Sequence, residues 1–202
     1  MGTYTDIRYD YNLPAGFGGA LKLIKEQTAS GSSSISFVHG TAGVVLDSTY
    51  RTYIFKFYNI HPSAASNAAF QFNMSIDTGS NYNVAKTSTA FIAYHQEDGG
   101  DQALGYEAGR DLANGTGYQN ITFDIHNPND SGGSGTLHLF DPSNTTFVKH
   151  FIATSNAQIS TATTCEHFAA GYGNTTSAVD AIDFKLVSGN IDTGTIKLYG
   201  IA

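Results

Sequence analysis

Apolar and polar residues alternate with a period of two along most of the chain. Ile35 and Phe37 alternate with Ser34 and Ser36, and Phe70, Phe72 and Met74 alternate with Gln71, Asn73 and Ser75. Tyr53, Phe55 and Phe57 share one parity against Lys56 and Tyr58. The pattern returns at Ile121, Phe123 and Ile125, at Leu137 and Leu139, at Ile182, Phe184 and Leu186, and at Ile196 and Leu198. Side chains two apart in a strand share a face, so each run predicts a strand with one buried and one wet side. Phe147 to Ile152 is apolar on both parities, the pattern of a strand covered on both sides. Turn-forming clusters separate the runs, among them His61-Pro62-Ser63, Asp77 to Asn81, Asn127 to Gly133 and Asp141 to Asn144. Roughly nine or ten short strands so spaced predict an all-β fold, an antiparallel β-sandwich with a jelly roll as the expected strand order.

No stretch carries a convincing helical stripe. The best helix candidate, Gln102 to Ala113, contains Gly105 and Gly109, so Gln96 to Gly117 reads as one long surface excursion. Residues 1–20 stand apart. They hold Tyr4, Tyr9, Tyr11 and Phe17 among Pro14 and several glycines, with neither period, and read as an extended N-terminal arm that lies on a partner. Residues 21–202 read as a single sandwich domain, with no linker and no internal repeat.

Composition narrows the classes. Only 13% of residues are charged, and the chain holds 13 Phe and 12 Tyr, which excludes disorder for most of its length. A net charge of −7 with ten basic residues, none clustered, argues against nucleic acid. No apolar run approaches a membrane span, so no membrane insertion is expected. Met1 to Asp6 lacks the basic and apolar regions of a secretory signal. Cys165 is the only cysteine, so there is no intrachain disulfide. It is expected to fill a small apolar space, in a chain made in a reducing compartment.

The usual catalytic signatures are absent: no G-x-S-x-G, H-E-x-x-H, Walker A loop or G-x-G-x-x-G occurs. The expectation is a protein that is not an enzyme and needs no cofactor or metal. Four weaker constellations remain. Asp124, His126 and His138 would share a sheet face if their strands paired, but hydrogen-bonded histidines on a polar face are the commoner outcome. Asp77 to Asn83 alternates oxygen side chains as calcium loops do, but the twelfth position is Ser88 rather than Glu, which favours a plain turn. Glu97, Asp98, Asp101, Glu107 and Asp111 form an acidic cluster, with nothing to fix the carboxylate spacing that glycoside hydrolysis needs. Tyr82, Tyr94, Tyr106 and Tyr118 are candidate glycan contacts, since flat rings stack on sugars, although tyrosines more often bridge core and water.

The C-terminal run from Val179 to Ile201, with Ile182-Asp183-Phe184, Ser188-Gly189-Asn190-Ile191 and Gly194-Thr195-Ile196-Lys197-Leu198-Tyr199-Gly200-Ile201, resembles the ending of tailed-bacteriophage virion proteins. Leu23 to Thr28, Tyr53 to Pro62, Gly135 to Ser143 and Phe147 to Phe151 resemble structural proteins of marine phages. The resemblance implies a β-sandwich module on the outside of a particle, made in a bacterial cytoplasm and then assembled into the virion. Its place would be a tail fibre or tail tip, possible contact with a host-surface glycan included, or a capsid decoration. It also implies other virion proteins as partners and a homo-oligomer, with a trimer favoured. The H-x-H metal motif of some trimeric phage spikes is not present. A free carbohydrate-binding module is the alternative outside the virion class. Phe140, Phe151 and Ile201 are the expected anchors of an assembly contact.

Overall fold

The alternating runs fold as strands of two packed sheets. The computed structural model describes residues 21–63, 67–160 and 162–201, and among these there is no helix. The strands are β1 (Leu21–Ser32), β2 (Ile35–Val38), β3 (Thr52–Pro62), β4 (Ala68–Ser75), β5 (Lys86–Gln96), β6 (Gln102–Tyr106), β7 (Gln119–Ile125), β8 (Gly133–Phe140), β9 (Lys149–Ser160), β10 (Thr163–Gly173), β11 (Ala181–Leu186) and β12 (Ile191–Ile201). The arm assigned to residues 1–20, with Tyr4, Tyr9, Tyr11 and Phe17, lies outside the described residues.

An eight-stranded sheet runs β1-β12-β3-β8-β9-β10-β5-β6, and a four-stranded sheet runs β2-β11-β4-β7. Every pairing is antiparallel. The first four strands alternate between the sheets, as do β7 and β8 and then β11 and β12. The hairpins β5–β6 and β9–β10 break the alternation, and both widen the larger sheet.

Between the sheets, Phe55 and Phe57 of β3 meet Phe37, Phe70 and Phe184 of the smaller sheet, all fully buried. Farther across, the larger sheet turns small residues inward. One row reads Phe55, Leu137, Ala153, Ala169 and Ala90 over β3, β8, β9, β10 and β5. Large rings thus fill the centre, while alanines bring the strands of the added hairpins close to β7. This patterning explains three departures from the sequence reading. There are more strands than the strong runs predict. The excursion over Gln96 to Gly117 contains the strand β6, paired to β5 from Phe91↔Tyr106 to His95↔Gln102. Phe147 to Ile152 is not covered on both sides within this chain: Phe147 and Ile152 are 69% and 49% exposed. Phe151 is correspondingly no surface anchor, because it faces the core with its ring 5.1 Å from that of Phe72.

His167 on β10 is fully buried, and its ring makes no hydrogen bond of good geometry beyond a weak contact with the Ile121 backbone. The Ser155 hydroxyl opposite it on β9 has no partner. Burial and the nearby Arg110 charge push the imidazole down to about 4, so it folds neutral. Protonation then favours the unfolded chain. This contribution to stability is complete above about pH 6.5 and is lost as pH falls towards 4, by about 3 kcal/mol. His167→Met should remove that loss. Urea unfolding at pH 7 and pH 4.5 checks it, and equal acid sensitivity of the two proteins would refute the assignment.

Candidate assembly surface

Among the described residues, the outer face of the larger sheet carries most of the exposed large apolar side chains. Leu21 and Leu23 lie on it at the β1 edge, Ile152 in the middle, and Phe91, Leu104 and Tyr106 towards the β6 edge. One row runs Thr136, Thr154, Phe168, Phe91 and Tyr106 across five strands. The Phe91 and Phe168 rings stack at 4.6 Å and 10°. The next row runs His138, Ile152, Ala170 and Thr89. Beside Ile152 opens a groove of about 450 Å³ lined by Phe140, Asn144, Thr146, Phe147, Val148 and His150 among others. Water-facing sheet sides ordinarily carry polar residues, which makes the exposed apolar side chains of this face its candidate contact points, although Glu26, Lys197 and Lys56 interrupt them between the two edges.

The candidate glycan tyrosines fall in two places and form no common platform. On the smaller sheet, Tyr118 donates to Asp183 Oδ2 at 2.9 Å and Ser36 donates to Asp183 Oδ1 at 2.5 Å. Lys185 Nζ sits 4.1 Å from the centre of the Tyr118 ring. Tyr82 lies in the same neighbourhood, its phenol held above the usual range by burial and by the carboxylates of Asp183, Asp180 and Asp77. Tyr118 is raised further by burial and its bond to Asp183. Tyr94 and Tyr106 project from opposite faces of the β5–β6 hairpin, since Tyr94 lies an odd number of positions from Phe91 and Tyr106 lies opposite Phe91. Tyr94 donates to Asp101 Oδ2 at 2.9 Å, and Tyr106 donates to Asp111. Those carboxylates raise both phenols. The hydroxyls of Tyr94, Tyr106 and Tyr118 fasten loops to strands.

Asp124 and His126 cannot share a sheet face with His138. β7 pairs with β4 in the smaller sheet, whereas β8 pairs with β3 and β9 in the larger. Asp124 instead binds Arg110 at 2.9 Å. Among the described residues, no group of three His, Cys, Asp or Glu side chains is placed to share a metal ion. The Asp77 to Asn83 segment closes as a capped turn: Asp77 accepts from Ser75 Oγ at 2.7 Å and from Asn81 N at 2.9 Å. Thr78 and Gly79 take positive φ angles of 60° and 78°, where glycine fits without strain. Cys165 is buried, and burial pushes its thiol up to about 11, far from a reactive thiolate.

Sequence reasoning missed two buried lysines. Lys86 and Lys149 open β5 and β9 and face the same residue, Gly173, from either side of β10. Both are fully buried. Lys86 Nζ donates to Asn73 Oδ1 and, at 2.8 Å, to Val84 O. Lys149 Nζ donates to Phe147 O at 2.7 Å and to Thr175 O at 3.3 Å. Desolvation lowers both amines, Lys86 to about 7. A lysine at a strand start usually reads as solvent-facing, and only the tertiary contacts reveal the burial. No family model, curated protein or solved structure matches this chain.

Proposed function

We propose that this chain is a non-enzymatic structural subunit of a tailed-bacteriophage virion. It sits on the particle exterior, in the tail fibre or tail tip, and assembles as a homo-oligomer with a trimer favoured. The observation that carries this reading is the set of exposed apolar side chains on the outer face of the eight-stranded sheet. An isolated protein gains nothing from exposing them, whereas a subunit buries them on assembly.

The strand order supports a jelly-roll reading of the sandwich. With the β5–β6 and β9–β10 hairpins set aside, the sheets read β1-β12-β3-β8 and β2-β11-β4-β7. In that order successive strands alternate between layers except at β4 and β7, which pair within the smaller sheet, a winding like that of viral capsid and lectin domains. The C-terminal resemblance to phage virion proteins falls on β11 and β12, two strands central to that order.

Two measurements test the proposal together. Light scattering of the purified chain should give a mass that is a multiple of 21.5 kDa. Mass spectrometry of separated heads and tails should find the chain in the tail fraction. Presence in heads alone would replace the tail position with capsid decoration. A strict monomer absent from particles would end the virion reading.

A further inference from the structure

A β-sandwich has four sheet edges, and open edges invite pairing with other chains unless they are guarded. Two edges of this molecule are capped, and on a third, β1, lysines beside a bulge admit only a partner of opposite charge. On β2, the Gln27 side chain caps Ser36 O at 2.7 Å. On β7, Gln119 Nε2 caps Asn120 O at 2.9 Å, and Arg110 lies 4.4 Å over the Phe123 ring while bound to Asp124. On β1, Lys22 and Lys25 flank a bulge between Leu23 and Lys25.

The remaining edge, β6, has no such protection. Gln102-Ala103-Leu104-Gly105-Tyr106 is exposed at every residue and holds no charge, no proline and no bulge. Leu104 is 73% exposed and Tyr106 57%, both on the outer face. An uncovered strand of this kind presents a row of unpaired backbone groups, and an extended chain satisfies them.

We propose that the occupant of the β6 edge is the β1 edge of a second copy of this chain, so that the larger sheets join head to tail. Three observations point to β1. First, direction: the eight strands alternate without a break, so β6 runs opposite to β1, and a copy added by simple rotation continues the antiparallel alternation. Second, charge: Glu97, Asp98 and Asp101 surround the start of β6, while β1 carries Lys22 and Lys25 against a single carboxylate, Glu26, which Lys197 pairs at 3.1 Å. An antiparallel β6–β6 pair would instead set those carboxylates against Glu107 at the end of the partner strand. Opposed charges of this kind select the partner and its orientation. Third, the apolar residues match: Leu104 and Tyr106 are two apart on the outer face, and Leu21 and Leu23 are two apart on that same face, 45% and 49% exposed. Joining them sets apolar side chains together across the junction. A head-to-tail contact closes into a ring when its rotation allows, as in a trimer. The inference rests on the reading of the chain as a self-assembling subunit and names the contact.

Zero-length carbodiimide cross-linking of the full chain, followed by mass spectrometry, tests it. Within one copy, β1 and β6 lie at opposite edges of the eight-stranded sheet, about 34 Å apart at the usual strand spacing. A direct link from Lys22 or Lys25 to Glu97, Asp98 or Asp101 therefore has to join two copies. Such links are expected in the oligomer band. Leu104→Lys should weaken association by at least about tenfold, with circular dichroism and melting temperature unchanged because the side chain is exposed. An oligomer linked through other surfaces and indifferent to Leu104→Lys would overturn the edge pairing and leave the subunit reading standing. A monomer at every concentration would overturn both.

Discussion

Phe184→Ala is expected to lower the unfolding free energy by about 3–5 kcal/mol, the range for removing a fully buried ring. Phe184 sits on β11 with no exposed surface. Its ring stacks on Phe70 of β4 at 5.6 Å and 15°, meets Phe37 of β2 edge-on at 6.1 Å, and contacts Phe55 of β3 at 5.2 Å. Phe55 in turn meets Phe37 at 5.3 Å, and Phe57 meets Phe70 at 5.2 Å. One ring thus joins three strands of the smaller sheet to the larger sheet. Its deletion leaves a cavity where the layers meet, and the surrounding rings cannot close it without leaving their edge-to-face and stacked geometries. Phe184→Leu keeps most of the volume and should cost about 1.5 kcal/mol or less. Leu104→Ala on the exposed edge should stay within about 0.5 kcal/mol of the parent. Urea unfolding of the three variants with unchanged slope checks the ranking. A Phe184→Ala loss no greater than that of Leu104→Ala would mean that the two layers are not held together through this ring.

The position of that ring was legible in the sequence because it lies in a clean run, Ile182, Phe184 and Leu186. The same holds for β2, β3, β4, β7, β8 and β12, where large apolar residues of one parity face a thick core. The added hairpins were less legible. β10 turns Cys165, His167, Ala169, Gly171 and Gly173 to the interior, and β5 turns Lys86, Ser88, Ala90 and Ile92. Small and polar residues suit a thin layer closely covered by β7 and the loop that precedes it, but they do not register as a hydrophobic alternation. β6 was hidden for a different reason: every residue is exposed, so no burial pattern exists to read.

The candidate surface was half legible. The apolar run from Phe147 to Ile152 signalled cover on both sides, and the fold covers only one. The mismatch between that signal and the exposure of Ile152 is itself a reason to expect a partner on the outer face. The tyrosines were misgrouped because distance along the chain says nothing about which sheet a loop will join. Tyr118 and Asp183 are 65 residues apart and share a hydrogen bond, whereas Tyr106 and Tyr118 serve separate places.

Lys86→Met is expected to make the protein more stable at neutral pH and to remove a steep pH dependence. Lys86 is fully buried and has only a side-chain amide oxygen and a backbone carbonyl as acceptors. Desolvation lowers its amine from 10.5 to about 7. The unfolded chain therefore binds this proton more tightly than the folded one between those values. Stability is full above about pH 10.5 and declines as pH falls towards 7, where the charged form begins to enter the core. Over pH 9 to 7 the decline is about 2 kcal/mol. In that window the folded Cys165 thiol, raised to about 11, and the Tyr53 phenol, raised to about 12, stay protonated, and the ordinary thiol of the unfolded chain affects both proteins equally. Methionine fills the same volume without a charge, and Asn73 Oδ1 keeps a donor in the Met74 amide at 2.9 Å. The parent should gain stability from pH 7 to pH 9 while Lys86→Met stays nearly flat, with the variant ahead by about 2 kcal/mol at pH 7. Equal slopes for the two proteins would show that the amine is charged and well solvated in the fold. The network of Lys86, Asn73 and the Tyr82 and Thr116 carbonyls would then be an open surface contact rather than a core joint.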